Sequence, residues 1–150
     1  MTQAMSTQVV ILAGGLGTRL RSVVRDRPKV LAEVAGRPFI TYLLDRLGQA
    51  GFRAVTLLTG YKGEMVEEQL GFSYQGLQLG YSVESIPLGT GGAIRAAARV
   101  IPCDQLLVLN GDTYFDVDYQ ALMKQATPGL DLMACRQIAD VGRYGAVQLD

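Results

Sequence analysis

Chemistry in this chain must come from a few short stretches. The first is Gly14-Gly15-Leu16-Gly17-Thr18-Arg19-Leu20, directly after an apolar run. Glycines let the backbone approach a phosphate closely and aim its N–H groups at it, while Thr18 adds a hydroxyl and Arg19 a planar fork of charged donors. Such a segment is an anion cradle with a cation attached. It is not a Walker A loop, which ends in Gly-Lys-Ser/Thr, nor the GxGxxG dinucleotide fingerprint, which needs glycine where Leu20 stands. Read alone it is equally an ordinary tight turn.

Pro28-Lys29 follows within reach of that loop. Pro28 has its φ restricted and biases Arg27 toward an extended conformation, so Lys29 projects from a stiffened segment and can reach a phosphate. Pro87 to Ala93 (PLGTGGA) leads into a helical stretch. Its glycines again allow close approach, and a helix start offers unpaired N–H groups to an anion. Asn110-Gly111-Asp112 ends the buried run LLVL, with no lysine nearby in sequence. A carboxylate there suits Mg2+, which keeps several waters and takes its other ligands from phosphate oxygens. The plain alternative is a strand-to-turn junction. Asp116 and Asp118 read as caps for a helix starting near Tyr119, and Glu64, Glu67 and Glu68 with Lys62 as a solvated helix face.

Composition removes other chemistries. Among 150 residues there is no histidine, so Ser/His and Cys/His nucleophile pairs and histidine zinc sites are excluded. Fourteen basic and 14 acidic residues cancel, leaving no net field to gather nucleic acid or an anionic membrane. Cys103 and Cys135 lack CxxC spacing and lie in apolar stretches, so both are expected as buried, reduced thiols. The apolar run ending at Gly14 is too short for a signal core or a membrane span, and a cytoplasmic protein is expected.

These stretches sit at the ends of regular elements. Val9 to Ala13 reads as a central strand, followed by a helix over Pro38 to Ala50 with Gly51 ending it, and by a strand over Ala54 to Thr59. Further on come a helix over Lys62 to Leu70, a strand over Leu77 to Val83, a helix over Gly91 to Val100 and a strand over Leu106 to Leu109. A helix over Tyr119 to Ala126 and strands over Leu130 to Cys135 and Tyr144 to Leu149 complete the list. Alternation at this spacing predicts an α/β, Rossmann-like fold of three layers with a mainly parallel central sheet, occupying residues 1–150 as one domain. Ligands of such sheets gather at the carboxyl ends of the strands.

The order GGLGTRL, PK, GRP before a helix, LGTGGA and NGD resembles the sugar-1-phosphate nucleotidylyltransferases, and these motifs cover most of the chain. The resemblance implies transfer of a nucleoside monophosphate from a triphosphate to a sugar 1-phosphate, with release of pyrophosphate. It implies that Leu12, Ala13, Gly14, Gly15, Gly17 and Thr18 hold the nucleotide, with Pro87, Gly89 and Thr90 from the second loop. Arg19 would stabilise pyrophosphate, Lys29 would bind near the α-phosphate, Asp112 would hold Mg2+ and Glu84 would read the base. Asn110, Tyr144 and Gly145 would face the sugar. Within the family, LGTRLRSVV, PLGTGGAI and VLNGDT are similar to the bacterial enzymes that guanylate a heptose 1-phosphate. Glu84 fits guanine, since one carboxylate can accept from both N1–H and the exocyclic amine.

Family members continue past Asp150 with a Glu-Lys-Pro element and a second metal-binding aspartate, so a C-terminally truncated domain is expected, with an exposed sheet edge that would permit homo-oligomers. Alternatives are a binding module without turnover, a uridylyl- or thymidylyltransferase, and an NAD-binding half-domain needing an acidic ribose ligand near Glu33.

Overall fold

Val9, Val10 and Ile11 of β1 (Thr7–Leu12) are buried: parallel strands pair with both edges of β1, and Val10 packs on one face against Ala93 and Ala97. The computed structural model describes residues 6–15, 27–140, 142 and 146–148. β1 is followed by β2 (Glu33–Val34), β3 (Arg37–Pro38), α1 (Phe39–Gln49), β4 (Ala54–Thr59) and α2 (Gly63–Leu70). Then come β5 (Ser73–Tyr74), β6 (Leu77–Val83), α3 (Gly89–Val100) and β7 (Gln105–Asn110). The main sheet has the order β5-β6-β4-β1-β7, with β6, β4, β1 and β7 parallel and the short β5 antiparallel to β6. The chain steps outward from β1 through β4 to β6, then returns across β1 to lay down β7. That reversal makes the carboxyl ends of β1 and β7 the crevice where ligands of open α/β sheets bind.

The helices follow their apolar spacing. In α1, Ile40, Leu43, Leu44 and Leu47 are buried on one face, and Gly51 beyond its end adopts φ +90°. In α3 the buried residues are Ala93 and Ala97, four apart, which pack against Val10 and Leu58 of the sheet. Two hairpins escaped the sequence reading: β2–β3 turns through Ala35 (φ 48°) and Gly36 (φ 80°), and β5–β6 through Gln75 (φ 45°) and Gly76 (φ 87°). Paired positive φ values are the geometry of a tight two-residue hairpin, and glycine in the second place makes it accessible.

The chain separates into two compact units at Asp116/Val117. The second contains α4 (Tyr119–Gln125), whose first turn is capped by Asp118 Oδ1 accepting from the Ala121 N–H at 3.0 Å. The strand expected over Leu130 to Cys135 is not formed: Leu130 and Met133 are each 72% exposed, and among the described residues no strand pairs with the segment. β-branched and apolar residues favour a strand only where a ladder partner and a covering face exist. Residues 146–148 likewise carry no strand, while 144, 145 and 149 lie outside the described residues. Cys103 and Cys135 are free, but neither has the expected burial: Cys103 is only half-buried, and Cys135 is exposed in a segment that joins no sheet among the described residues. No helix among the described residues is long and apolar enough to cross a membrane.

Candidate functional site

The ladder between β1 and β7 pairs Leu12 with Asn110, and the Gly111 N–H extends it by donating to the Leu12 carbonyl at 2.9 Å. On the other side the Ala13 N–H donates to the Leu58 carbonyl at 2.8 Å. The Gly14-Gly15 turn and Asp112 therefore leave neighbouring strands at the same edge. Only glycine fits at 111, since a Cβ there would stand 2.6 Å from the Leu12 carbonyl oxygen and 2.9 Å from Val30 Cγ1. Gly14 in turn crosses Gly60 at the end of β4, where a Cβ on Gly60 would lie 3.2 Å from the Gly14 oxygen. Gly60 was missed in the sequence; its signal was a glycine ending the second strand as Gly14 ends the first.

Lys29 opens a 3-10 turn, Lys29–Leu31, anchored by the buried Val30 and Leu31. The Leu31 N–H donates to the Pro28 carbonyl at 2.9 Å, and the Ala32 N–H donates to that of Lys29 at 3.0 Å. From this turn Lys29 Nζ donates to Asp112 Oδ2 at 2.5 Å, while Thr113 Oγ1 donates to Asp112 Oδ1 at 3.2 Å. The lysine absent from the sequence around Asp112 thus arrives from 83 positions away. Both side chains are more than a third exposed, so solvent screens the pair and holds its contribution to about 0.2–1 kcal/mol.

Glu84 continues β6, its N–H donating to the Thr59 carbonyl at 2.8 Å, and its Oε2 accepts from the Leu88 N–H at 3.3 Å ahead of α3. Pro87 and Thr90 are exposed beside Gly89, which opens α3 with φ +69°, and Asn110 is exposed at the end of β7. Gly17, Thr18, Arg19, Tyr144 and Gly145 lie outside the described residues. Asp116 pairs with Arg46 at 2.9 Å.

The GRP segment has a positioning role. Arg37 forms an ion pair with Asp45 through Nη2, donates from Nε to Thr41 Oγ1 at 2.7 Å and stacks on the Tyr42 ring at 4.1 Å. Tyr74 donates to the other Asp45 oxygen at 3.0 Å, so α1, β3 and β5 are tied through one carboxylate. The hydrogen bond to Asp45 pushes the Arg37 pKa up. Burial, followed by the Asp45 hydrogen bond, raises that of Tyr74.

A metal would have few protein ligands here: among the described residues no three His, Cys, Asp or Glu side chains gather. That donor set fits Mg2+ held by one carboxylate, water and substrate phosphate, and does not fit an all-protein cage. Asp112, at the strand edge with a hydroxyl neighbour in Thr113, is the residue suited to it.

The sequence pattern of the nucleotidyl transferase family matches residues 8–150. The chain is 38% identical over 143 residues to the D-glycero-alpha-D-manno-heptose 1-phosphate guanylyltransferase of Campylobacter jejuni, covering 95% of this chain and 63% of that protein. The enzyme of the same name from Aneurinibacillus thermoaerophilus is 42% identical over 142 residues, covering 93% and 62%. The crystal structure of HddC from Yersinia pseudotuberculosis complexed with GMP-PN superposes with a TM-score of 0.70 at 38% identity, covering 80% of this chain and 53% of that one. The chain therefore spans less than two thirds of these relatives' length. Because the family pattern runs through all the strands whose ends carry Gly14, Glu84 and Asp112, the chain belongs to the nucleotidyl transferase family.

Proposed function

We propose that this chain forms the nucleotide-binding part of an enzyme that transfers GMP from GTP to a heptose 1-phosphate in the cytoplasm, giving a GDP-sugar and pyrophosphate. The observation that carries the reading is the meeting of Lys29 and Asp112 at the carboxyl ends of β1 and β7, beside Gly14-Gly15. The matched relatives, named as heptose 1-phosphate guanylyltransferases, and the GMP-PN complex of a structural neighbour support the choice of base and sugar.

In this reaction a phosphate oxygen of the sugar attacks the α-phosphorus of GTP. A new P–O bond forms as the bond from the α-phosphorus to the bridging oxygen breaks, and its electron pair leaves on pyrophosphate. No protein nucleophile is required, which suits a chain without histidine. The requirement is to hold two anions together: like unit charges 4 Å apart repel by about 1 kcal/mol in water and about 4 kcal/mol at an effective dielectric of 20. Backbone N–H groups of Gly14, Gly15 and Gly17 with Thr18 hold the phosphates, Arg19 faces the departing pyrophosphate, and Lys29 neutralises the α-phosphate. Asp112 would hold Mg2+, which when bound supplies further neutralisation of the phosphates. Glu84 accepts from N1–H and the amine of guanine, Pro87, Gly89 and Thr90 line the nucleotide, and Asn110, Tyr144 and Gly145 face the sugar.

Calorimetric titration with GTP, UTP and dTTP in magnesium tests the base, and pyrophosphate release on adding heptose 1-phosphate tests the reaction. GTP is expected to bind most tightly. Preference for UTP would remove the guanylyl assignment, and absence of any nucleotide binding would remove the whole reading. Arg19→Ala separates an enzyme from a binding module: turnover should fall about 100- to 1,000-fold, beyond any loss of affinity.

A further inference from the structure

The contact between Lys29 and Asp112 has a consequence for the order in which ligands enter, and it rests on the function proposed above. Asp112 has two carboxylate oxygens, and both are engaged by groups of this chain: Oδ2 by Lys29 Nζ at 2.5 Å and Oδ1 by Thr113 Oγ1 at 3.2 Å. Magnesium binds a carboxylate oxygen at about 2.1 Å, so a magnesium ion and the ammonium sharing Oδ2 would stand within roughly 4 Å of each other. A divalent and a monovalent cation at about that distance disfavour joint occupancy by on the order of tenfold even in water.

We infer that Lys29 is an exchangeable counter-ion of Asp112, which must release the carboxylate to a nucleotide phosphate before a divalent cation can be held tightly there. The lysine is built for such a move. Its ammonium is a point charge on a flexible four-carbon stem, and its backbone is fixed by the 3-10 turn, so only the side chain need swing. The half-exposed pair is weak enough to break at little cost. A triphosphate arriving on the Gly14-Gly15 turn offers Lys29 more negative charge than one carboxylate does. Metal and nucleotide then bind as one unit, and metal alone binds poorly.

The test is a titration of Mn2+, followed by the electron paramagnetic resonance of the free ion, into the nucleotide-free full chain and its variants. Lys29→Met keeps the apolar stem and removes the charge, and is expected to bind Mn2+ about tenfold more tightly than the wild type. Adding Asp112→Asn to Lys29→Met should abolish that gain. Mn2+ affinity in Lys29→Met equal to or weaker than wild type, or a gain that survives Asp112→Asn, would overturn the inference. Lys29→Gln provides the same reading should Lys29→Met fail to give a native circular dichroism spectrum. GTP titrated with Mg2+ into the wild type reports separately on the proposed function: failure there sinks nucleotide binding, whereas the Mn2+ series reads the ion pair alone.

Discussion

Gly14 and Gly60 cross where β1 and β4 end, so closely that a Cβ on Gly60 would lie 3.2 Å from the Gly14 oxygen and one on Gly14 would lie 3.3 Å from the Gly60 nitrogen. The crossing fixes where the backbone leaves the end of β1. A single methyl on Gly60 asks for a few tenths of an ångström, but the branches of valine ask for more than the paired strands can give. Gly60→Val is expected to lose about 1–3 kcal/mol in urea unfolding, as overpacking does. Under the proposed function, in which Gly14 and Gly15 hold the nucleotide phosphates, it should also weaken GTP binding. Unchanged stability and affinity would show that the turn tolerates the shift.

Gly111 is more tightly enclosed. The obstacle at 2.6 Å is the Leu12 carbonyl, which belongs to a central strand and cannot rotate away. Gly111→Ala must push β7 from β1 at the Asp112 end, breaking the 2.9 Å hydrogen bond from the Gly111 N–H. We expect a loss of about 1–3 kcal/mol of stability together with a misplaced carboxylate. Nucleotide affinity in magnesium should then fall more than nucleotide affinity without it, and equal losses under both conditions would refute the coupling to Asp112.

The strands were legible because β1, β4 and β7 are covered on both faces and so appear as continuous apolar runs, and α1 because Ile40, Leu43, Leu44 and Leu47 recur at helical spacing. The same apolar signal misled over Leu130 to Cys135, where composition favours a strand but no partner pairs with it among the described residues. Two-residue strands leave no periodicity, so both hairpins passed unnoticed. Gly14, Lys29 and Asp112 could be singled out by residue type and by position at element ends. That Lys29 meets Asp112, and that Gly60 supports Gly14, are tertiary facts created by the strand order, which no local window contains.

Tyr81 makes stability depend on alkaline pH. Its hydroxyl donates to the Gly71 carbonyl at 2.5 Å, and burial, then the Glu67 carboxylate, push its pKa up to about 12. An unfolded chain releases this proton near pH ~10. The folded pKa is raised, so the contribution is complete below pH ~10 and disappears as pH climbs through about 12. Ultraviolet titration of phenolate absorbance should show a late step at about 12 that belongs to Tyr81. Tyr81→Phe should remove that late step, flatten stability across pH ~10–12 and lower it by about 0.5–1.5 kcal/mol at neutral pH through the lost hydrogen bond. A late step that persists in Tyr81→Phe would assign it to another residue.

Glu84 decides the base, if the proposed function holds. Its Oε2 already accepts from the Leu88 N–H at 3.3 Å ahead of α3, so the residue has a structural duty as well as a proposed recognition one. Glutamine separates the two. Glu84→Gln keeps one carbonyl oxygen, which can still serve Leu88, but turns an amide NH2 toward guanine, where a carboxylate would accept from both N1–H and the exocyclic amine. Donor then faces donor. A good bidentate pair is worth about 1–3 kcal/mol of base discrimination, so GTP affinity should drop about 5- to 150-fold. UTP, with a single imide donor, should lose less, and the melting temperature should hold. Equal losses for GTP and UTP, or none for either, would leave Glu84 as a brace of the loop that precedes α3 and move base recognition elsewhere in that loop.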